Sequence, residues 1–233
     1  MRWMLNGLGE DGMLSLGEPT EMIRLGAEAA IYTLNWNGME LVAKKRIPKP
    51  YRHPLLDKEI RMQRTASEAR IISEAKKHGV ACPAIILVDL DDATIYMQRI
   101  RGTEARNVIG NLNRETLSML AKRVGALTGM LHGGGIAHGD LTLSNVIVDE
   151  RMNPYLVDFG LATFTKDIEE FAVDVHLLDR SLQSTHYSLR EEFMRSFMEG
   201  YGTILGGILH KILEKVKEIE SRGRYVERRR RWG

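Results

Sequence analysis

Three polar residues within one stretch of twenty-five have the types and the spacing needed to move a phosphoryl group. Residues 136–160 read IAHGDLTLSNVIVDERMNPYLVDFG. Asp140 follows His138 and Gly139, Asn145 stands five positions after it, and Asp158 opens the triplet Asp158-Phe159-Gly160. Phosphoryl transfer is mostly positioning and charge neutralisation. It needs one carboxylate to orient the attacking hydroxyl or water, and oxygen ligands for Mg²⁺ bridging the phosphates. Asp140 suits the first task; Asn145 and Asp158 suit the second. An isolated Asp-Phe-Gly carries little information, but all three elements in order, separated by the apolar runs NVIV and YLVDF, carry a strong signal.

This is the order and spacing of the phosphotransfer and metal-binding loops of protein-kinase-like enzymes, and the rest of the chain supplies elements to hold them. TEMIRL, EAAIYTLNW and MELVAKKRI read as β-strands, the last two joined by a two-residue Asn37-Gly38 turn. Pro54 to His78 is helical in pattern, with Gly79 as C-cap. Strands AIILVDL and TIYMQRI follow. Past Gly102 the pattern is largely helical: Asn113 caps a helix to about His132, ended by Gly133-Gly134-Gly135. Asp167 to Glu170 and Ser188 to Glu191 read as capping boxes opening helices to about Leu182 and Glu199. A last helix over 203–221 carries the stripe Ile204, Leu205, Ile208, Leu209, Ile212, Leu213, Val216 and Ile219. Residues 1–19 are a Gly-rich lead-in with little pattern. The expected fold is α+β, bilobal and protein-kinase-like: a small antiparallel-sheet N-lobe over 1–101, a reduced helical C-lobe over 102–221 and a tail over 222–233.

Such a fold needs a lysine on the third strand to hold the α- and β-phosphates, and Lys44 in LVAK stands there. Strand alternation turns Lys45 to the other face. Glu68 in RTASEAR is the expected partner of Lys44, in preference to Glu59 and Glu74. The phosphate loop departs from G-x-G-x-x-G. It holds only Leu25, Gly26, Ala27, Glu28 and Ala29, followed by Ile31 on the next strand, so fewer backbone amides can wrap the phosphates. The adenine is expected at the lobe connector, around Met97, Gln98, Arg99 and Ile100. The expected cofactors are ATP and Mg²⁺.

Composition fits a soluble globular chain. Of 233 residues 43% are hydrophobic and 27% charged, enough for a sizeable core. No apolar run reaches the length of a membrane span, and MRWMLNGLGEDG has no h-region or cleavage pattern, so a cytoplasmic protein is expected. The single Cys82 excludes an internal disulfide and has a structural reading. No Cys/His cluster has zinc spacing. His138 reads as a hydrogen-bonder at the base of its loop, and His53 and His78 as exposed.

The net charge of +2 hides an asymmetry. Residues 221–233 hold Arg222, Arg224, Arg228, Arg229, Arg230 and Arg231 against Glu227, while the other 220 residues carry 27 basic and 30 acidic groups. A local +5 beside Tyr225 and Trp232 suits RNA phosphates and unstacked bases. The bland alternative is a solvated tail.

The segments KKRIPKPYRHPLLDKEIRMQRTASEAR, HGDLTLSN, VDFGLA, AVDVHLLDRSLQSTH and the tail after SRGR resemble the small atypical kinase subunit of the KEOPS complex, also known as the p53-related protein kinase family. The resemblance runs from about Ile23 to the C-terminus, and the absence of an N-terminal extension points to an archaeal member. It implies a Mg-ATP-dependent Ser/Thr kinase or ATPase. The activity would serve a complex that installs threonylcarbamoyl on the adenosine next to the tRNA anticodon. It implies contact with the threonylcarbamoyl-transferring subunit through the C-lobe and tail, with a second small subunit through the N-lobe, and with tRNA through the tail. Carried over by position, Asp140 is the catalytic aspartate, Asn145 and Asp158 the metal ligands, Lys44 the phosphate lysine and Glu68 its partner. Asp174 matches the aspartate that braces the catalytic loop.

Two departures from an ordinary protein kinase agree with this. Gly139 replaces the arginine between His and Asp that grips an activation-loop phosphate. Only fifteen residues separate Asp158 from Asp174, too few for a regular activation segment, an Ala-Pro-Glu element or a peptide platform. Three alternatives remain open: a free-standing Ser/Thr protein kinase, a small-molecule kinase of the aminoglycoside or choline type, and a scaffold whose catalysis is dispensable.

Overall fold

The computed structural model describes residues 21–231, with side chains described as far as Arg222. The expected lead-in at 1–19 and the side chains of Arg224 and Arg228–Arg231 lie outside the described residues. The chain divides into two compact units. One holds residues up to Ala69 together with Ala84–Arg99; the other holds Arg70–Pro83 and the chain from Ile100 onward. The division therefore falls inside a helix as well as at the connector near residue 100.

In the first unit, β1 (Glu21–Leu25), β2 (Ala29–Trp36), β3 (Met39–Arg46), β4 (Ile85–Asp89) and β5 (Thr94–Gln98) form one antiparallel sheet in the order β1-β2-β3-β5-β4. Asn37 and Gly38 turn β2 into β3 with φ of 50° and 82°, the primed hairpin expected from the dipeptide. Alternation along the strands gives the sheet two apolar faces. Leu34, Leu41 and Ala43 pack with Tyr32, Trp36, Leu87 and Tyr96 on one. Ala69 of helix α1 (Pro54–Lys77) packs with Ile95 and Met97 on the other. Lys44 and Arg46 are buried as well. Gly79 ends α1 with φ of 83°.

From Ile100 onward the second unit holds β6 (Thr103–Glu104), the short α2 (Ala105–Val108) and α3 (Arg114–Gly133), which Asn113 caps by accepting the Thr116 N–H at 2.9 Å. Then come β7 (Ile136–Ala137), β8 (Val146–Val148), β9 (Pro154–Leu156), β10 (Thr163–Phe164), α4 (Ile168–Thr185), α5 (Arg190–Leu205) and α6 (Leu209–Arg231). β8 pairs with β6 and β9, and β7 with β10. The core is the α3–α5 interface, where Leu117, Leu120, Val124, Phe193, Phe197 and Tyr201 are fully or almost fully buried. Gly125 and Gly200 allow it: a Cβ on either would overlap a backbone carbonyl of the opposite helix, that of Phe197 or Lys122. Small residues at the crossing are what let two backbones touch.

Three helix expectations need correction. Asp167 caps α4 through the Glu169 N–H at 2.9 Å rather than three residues on, and the helix continues to Thr185. Ser188 caps nothing, because Tyr187–Leu189 is a 3₁₀ turn and α5 starts at Arg190 with no side-chain cap. The last helix does not begin at 203. Ile204 and Leu205 end α5, a single 3₁₀ turn covers Gly206–Ile208, and α6 starts at Leu209. Two adjacent glycines withdraw local support for one continuous helix, which the apolar periodicity alone did not reveal. Among the described residues no helix is long and apolar enough to cross a membrane.

Candidate active site

In the second unit the site is built on the β8–β9 hairpin and the segments either side of it. Asp140 and Asn145 precede β8, Asp158 follows β9, and Val146 pairs with Leu156. The Asn145 carbonyl accepts the Val157 N–H at 3.0 Å. Asn145 Nδ2 donates to both the backbone oxygen and Oδ2 of Asp140, each at 2.8 Å. With its amide hydrogens so engaged, buried Asn145 has its Oδ1 left for a cation. Asp158 is exposed and sits in left-handed backbone with φ of 63°, a conformation that is costly for a non-glycine residue. Phe159, beside it, is buried against the His138 ring at 4.9 Å.

A buried brace holds the loop from below. Asp174 on α4 has no exposure and accepts the backbone N–H groups of His138 at 2.5 Å and Gly139 at 2.8 Å. His132 of α3 meets the same carboxylate through Nε2 at 3.1 Å, and its Nδ1 lies 2.7 Å from the Tyr201 hydroxyl on α5. The brace thus ties three helices to one loop. Asp174 was legible; His132 and Tyr201 were not singled out, since neither lies in a motif and their meeting depends on the α3–α5 crossing. His138 places Nε2 3.2 Å from the Val157 carbonyl, while its buried Nδ1 has no hydrogen-bond partner. Burial holds its imidazole pKa below the ordinary value, although Asp174, Asp158 and Asp140 pull the other way. A neutral ring bonding the loop base matches its expected structural part. Gly139 takes φ of 76°, and a Cβ there would overlap the Leu161 carbonyl.

Residues 160–167 carry the chain from Phe159 to the start of α4. Phe164 in β10 pairs with Ile136, the Thr165 N–H donates to the Gly135 carbonyl, and Asp167 already caps α4. Arg70 lies over the Phe164 ring at 5.1 Å.

In the first unit, Lys44 Nζ meets Glu68 Oε1 at 2.6 Å. Ile31 and Ile95 lie opposite Lys44 on the flanking strands. Glu59 is exposed, and Glu74 pairs with Lys77 at 2.7 Å. Lys45 turns to Asp92, as alternation requires. Arg46 was not foreseen as part of this group, yet it reaches Glu68 Oε2 at 2.6 Å. The phosphate-loop segment closes with the Gly26 N–H on the Ala29 carbonyl at 2.9 Å. Lys49 donates to the Ala27 carbonyl, and Arg64 pairs with Glu28 at 2.9 Å. Leu25 ends β1 exposed. At the connector Met97 is buried, Gln98 and Arg99 are exposed and Ile100 is half-buried. The Gln98 and Arg99 amides are engaged by the Ala84 and Glu40 carbonyls.

Asn145 and Asp158 offer oxygen donors of the kind Mg²⁺ takes. Among the described residues no group of three His, Cys, Asp or Glu could hold a metal alone. An amide oxygen and a carboxylate would be a sparse hard-oxygen set, and Mg²⁺ bound that way would keep phosphate oxygens and water.

Of the tail arginines, Arg222 is the one with a described side chain. It pairs with Glu169 at 2.9 Å and Glu218 at 3.5 Å, and α6 carries the backbone on to Arg231.

A family model described as the protein kinase domain matches residues 23–189. The chain is 40% identical over 215 residues to the KEOPS complex subunit Bud32 of Pyrococcus abyssi, covering 89% of this chain and 97% of that one. It is likewise 40% identical over 206 residues to a probable serine/threonine-protein kinase BUD32 homolog of Archaeoglobus fulgidus, with 88% and 97% covered. A probable bifunctional tRNA threonylcarbamoyladenosine biosynthesis protein of Methanothermobacter thermautotrophicus is 41% identical over 209 residues; 90% of this chain but only 37% of that longer one is covered. In fold the chain is similar to the Rio2 kinase of Chaetomium thermophilum, with a TM-score of 0.56 at 14% identity over 90% of this chain and 74% of that one. The sheet-built first unit, the helical second unit and these similarities lead to one assignment: the chain belongs to the protein kinase domain family and, within it, to the family of the archaeal Bud32 proteins.

Proposed function

We propose that this kinase-family chain works as a Mg-ATP-dependent ATPase and Ser/Thr phosphotransferase. Its place is in a cytoplasmic KEOPS complex required for threonylcarbamoyladenosine formation in tRNA. In this reading Asp140 accepts a hydrogen bond from the attacking water or hydroxyl and takes its proton. Asn145 holds the Asp140 carboxylate in place through its amide. Lys44, held by Glu68, donates to the α- and β-phosphates. The loop 25–29 with Ile31 covers the nucleotide, and Met97, Gln98 and Ile100 border the adenine. Asn145 Oδ1 and Asp158 hold the Mg²⁺. When bound, Mg-ATP supplies the transferable phosphoryl group and the cation that neutralises its charge.

One observation carries the preference for ATP turnover over peptide phosphorylation: the direct passage from Phe159 through β10 into α4. Residues 160–167 are too few for a regular activation segment or a peptide platform. The names of the relatives, which span this chain almost whole in the Pyrococcus protein and as part of a longer one in Methanothermobacter, support the tRNA-modification role. The second unit and the tail would then meet the threonylcarbamoyl-transferring subunit, the first unit a second small subunit, and the tail arginines the tRNA.

The test is ATP turnover by wild type and Asp140→Ala, with and without tRNA and the modifying subunit. Wild type should turn over ATP and respond to tRNA in the complex. Asp140→Ala should lose about 10²–10⁴-fold of that rate. Equal rates would end the enzymatic reading and leave a scaffold.

A further inference from the structure

Glu68 is held by two cations rather than one. Lys44 reaches its Oε1 and a terminal nitrogen of Arg46 its Oε2, both at 2.6 Å. All three side chains are buried, with exposures of 2% for Glu68, 8% for Lys44 and 5% for Arg46. The strand repeat makes the group: Lys44 and Arg46 stand two residues apart on β3, so both face α1. The guanidinium does not lie fork-on-fork with the carboxylate, and its buried Nε has no hydrogen-bond partner. Burying a donor unsatisfied is unfavourable, so local stability alone is a poor reason for an arginine at this place.

Its charge toward Glu68 is a better one. A lysine that must address phosphates has to loosen its hold on the carboxylate that positions it, and a buried carboxylate left without a partner is strongly unfavourable. With Arg46 on the other oxygen, Glu68 stays neutralised whichever way Lys44 leans. We infer that Arg46 is a positioning residue for nucleotide phosphate binding: it holds Glu68 so that Lys44 can be shared between that carboxylate and the phosphates. This rests on reading Lys44 as the phosphate lysine. It extends that reading by adding a second, non-contacting cation whose effect scales with ligand charge.

The experiment is calorimetric titration of the full chain with Mg-ATP and with adenosine. The variants are Arg46→Met, Arg46→Gln and Arg46→Lys, together with Glu68→Gln and the double variant Arg46→Met/Glu68→Gln. Removing the charge should weaken Mg-ATP binding about tenfold, the size of one charge-assisted contact, and leave adenosine within about twofold. Arg46→Lys should restore most of the loss. In the Glu68→Gln background the loss should shrink, because no carboxylate then competes for Lys44. Arg46→Gln keeps a shorter, uncharged polar donor, so the comparison survives if the methionine variant folds poorly. Unchanged Mg-ATP binding in both neutral variants would overturn the inference alone. Equal weakening of Mg-ATP and adenosine would also overturn it, by assigning Arg46 to general architecture. Wild-type protein that bound neither ligand would overturn the nucleotide reading itself, and this inference with it.

Discussion

Asp174 accepts the backbone N–H of His138 at 2.5 Å from a position with no exposure to solvent. The same carboxylate takes the Gly139 N–H and His132 Nε2, so three donors converge on one buried anion. Asp174→Asn would turn an amide hydrogen toward at least one of those donors. Removing one side of such a buried charged network costs roughly 2–4 kcal/mol. For a chain of this size the melting temperature should fall by about 5–15 °C, and ATP turnover should fall with it because the loop bearing Asp140 loses its brace. Calorimetry and a turnover assay on one preparation check both.

Gly139 makes a second prediction, because its φ of 76° and the nearby Leu161 carbonyl leave no room for a side chain. Gly139→Ala should lose roughly 1–2 kcal/mol from the left-handed backbone alone, and more from the overlap. Gly139→Arg, which would restore the residue of ordinary protein kinases, should do no better. Urea unfolding of the two variants distinguishes this from a merely missing phosphate grip, which would leave the alanine variant as stable as wild type.

The parts legible in the sequence were those set by local chemistry. Asn37-Gly38 announced a primed turn, Asn113 a cap, and the spacing of Asp140, Asn145 and Asp158 a set of polar groups separated by two short apolar strands. Period-two alternation assigned Lys44 and Lys45 to opposite faces, and applied once more it would have put Arg46 beside Lys44; a crowd of basic residues hid it. His132 and Tyr201 could not be read because their meeting is a product of two helices crossing at Gly125 and Gly200, far apart in sequence. The false helix start at 203 shows the opposite failure. A strong apolar stripe runs across Gly206-Gly207, where the backbone breaks into a 3₁₀ turn that periodicity alone does not reveal.

His138 should make stability depend on pH. Burial lowers its folded pKa, whereas the unfolded residue titrates near 6.5. Below that pH the unfolded chain binds a proton that the folded chain refuses, so stability falls as pH falls through about 6.5, by at most about 1.4 kcal/mol per pH unit from this residue. The carboxylates with lowered values, Asp57, Glu74, Asp149, Glu199 and Glu218, lose their contributions only nearer pH 4, so the window from 7 to 5 isolates histidine. Urea unfolding at three pH values should give a shallower dependence for His138→Asn than for wild type; parallel curves would remove the residue from this account.

Asn145 joins two tasks, and its removal should separate them. Asn145→Ala takes away both hydrogen bonds to Asp140 and the amide oxygen proposed for Mg²⁺. The Mg²⁺ concentration for half-maximal ATP turnover should rise, and the rate at saturating Mg²⁺ should still fall short, because Asp140 has lost its anchor. Asn145→Asp restores an oxygen ligand but puts a second carboxylate beside Asp140, where like charges disfavour each other. It should recover Mg²⁺ affinity without recovering rate. If saturating Mg²⁺ fully rescues Asn145→Ala, the hydrogen bonds to Asp140 have no catalytic consequence.

The tail prediction separates a nucleic-acid contact from a solvated helix end. Arg222 is already paired with Glu169 and Glu218, so it is the weakest candidate for a phosphate contact; Arg228–Arg231 have no acid after Glu227. Each arginine that neutralises an RNA phosphate releases counterions and steepens the dependence of affinity on salt. Replacing Arg228–Arg231 by alanine should therefore weaken tRNA binding and reduce the slope of log affinity against log salt by about 3, whereas Arg222→Ala should barely change it. A tail that merely extends α6 into solvent predicts identical slopes, and tRNA-stimulated ATP turnover would then be unchanged as well.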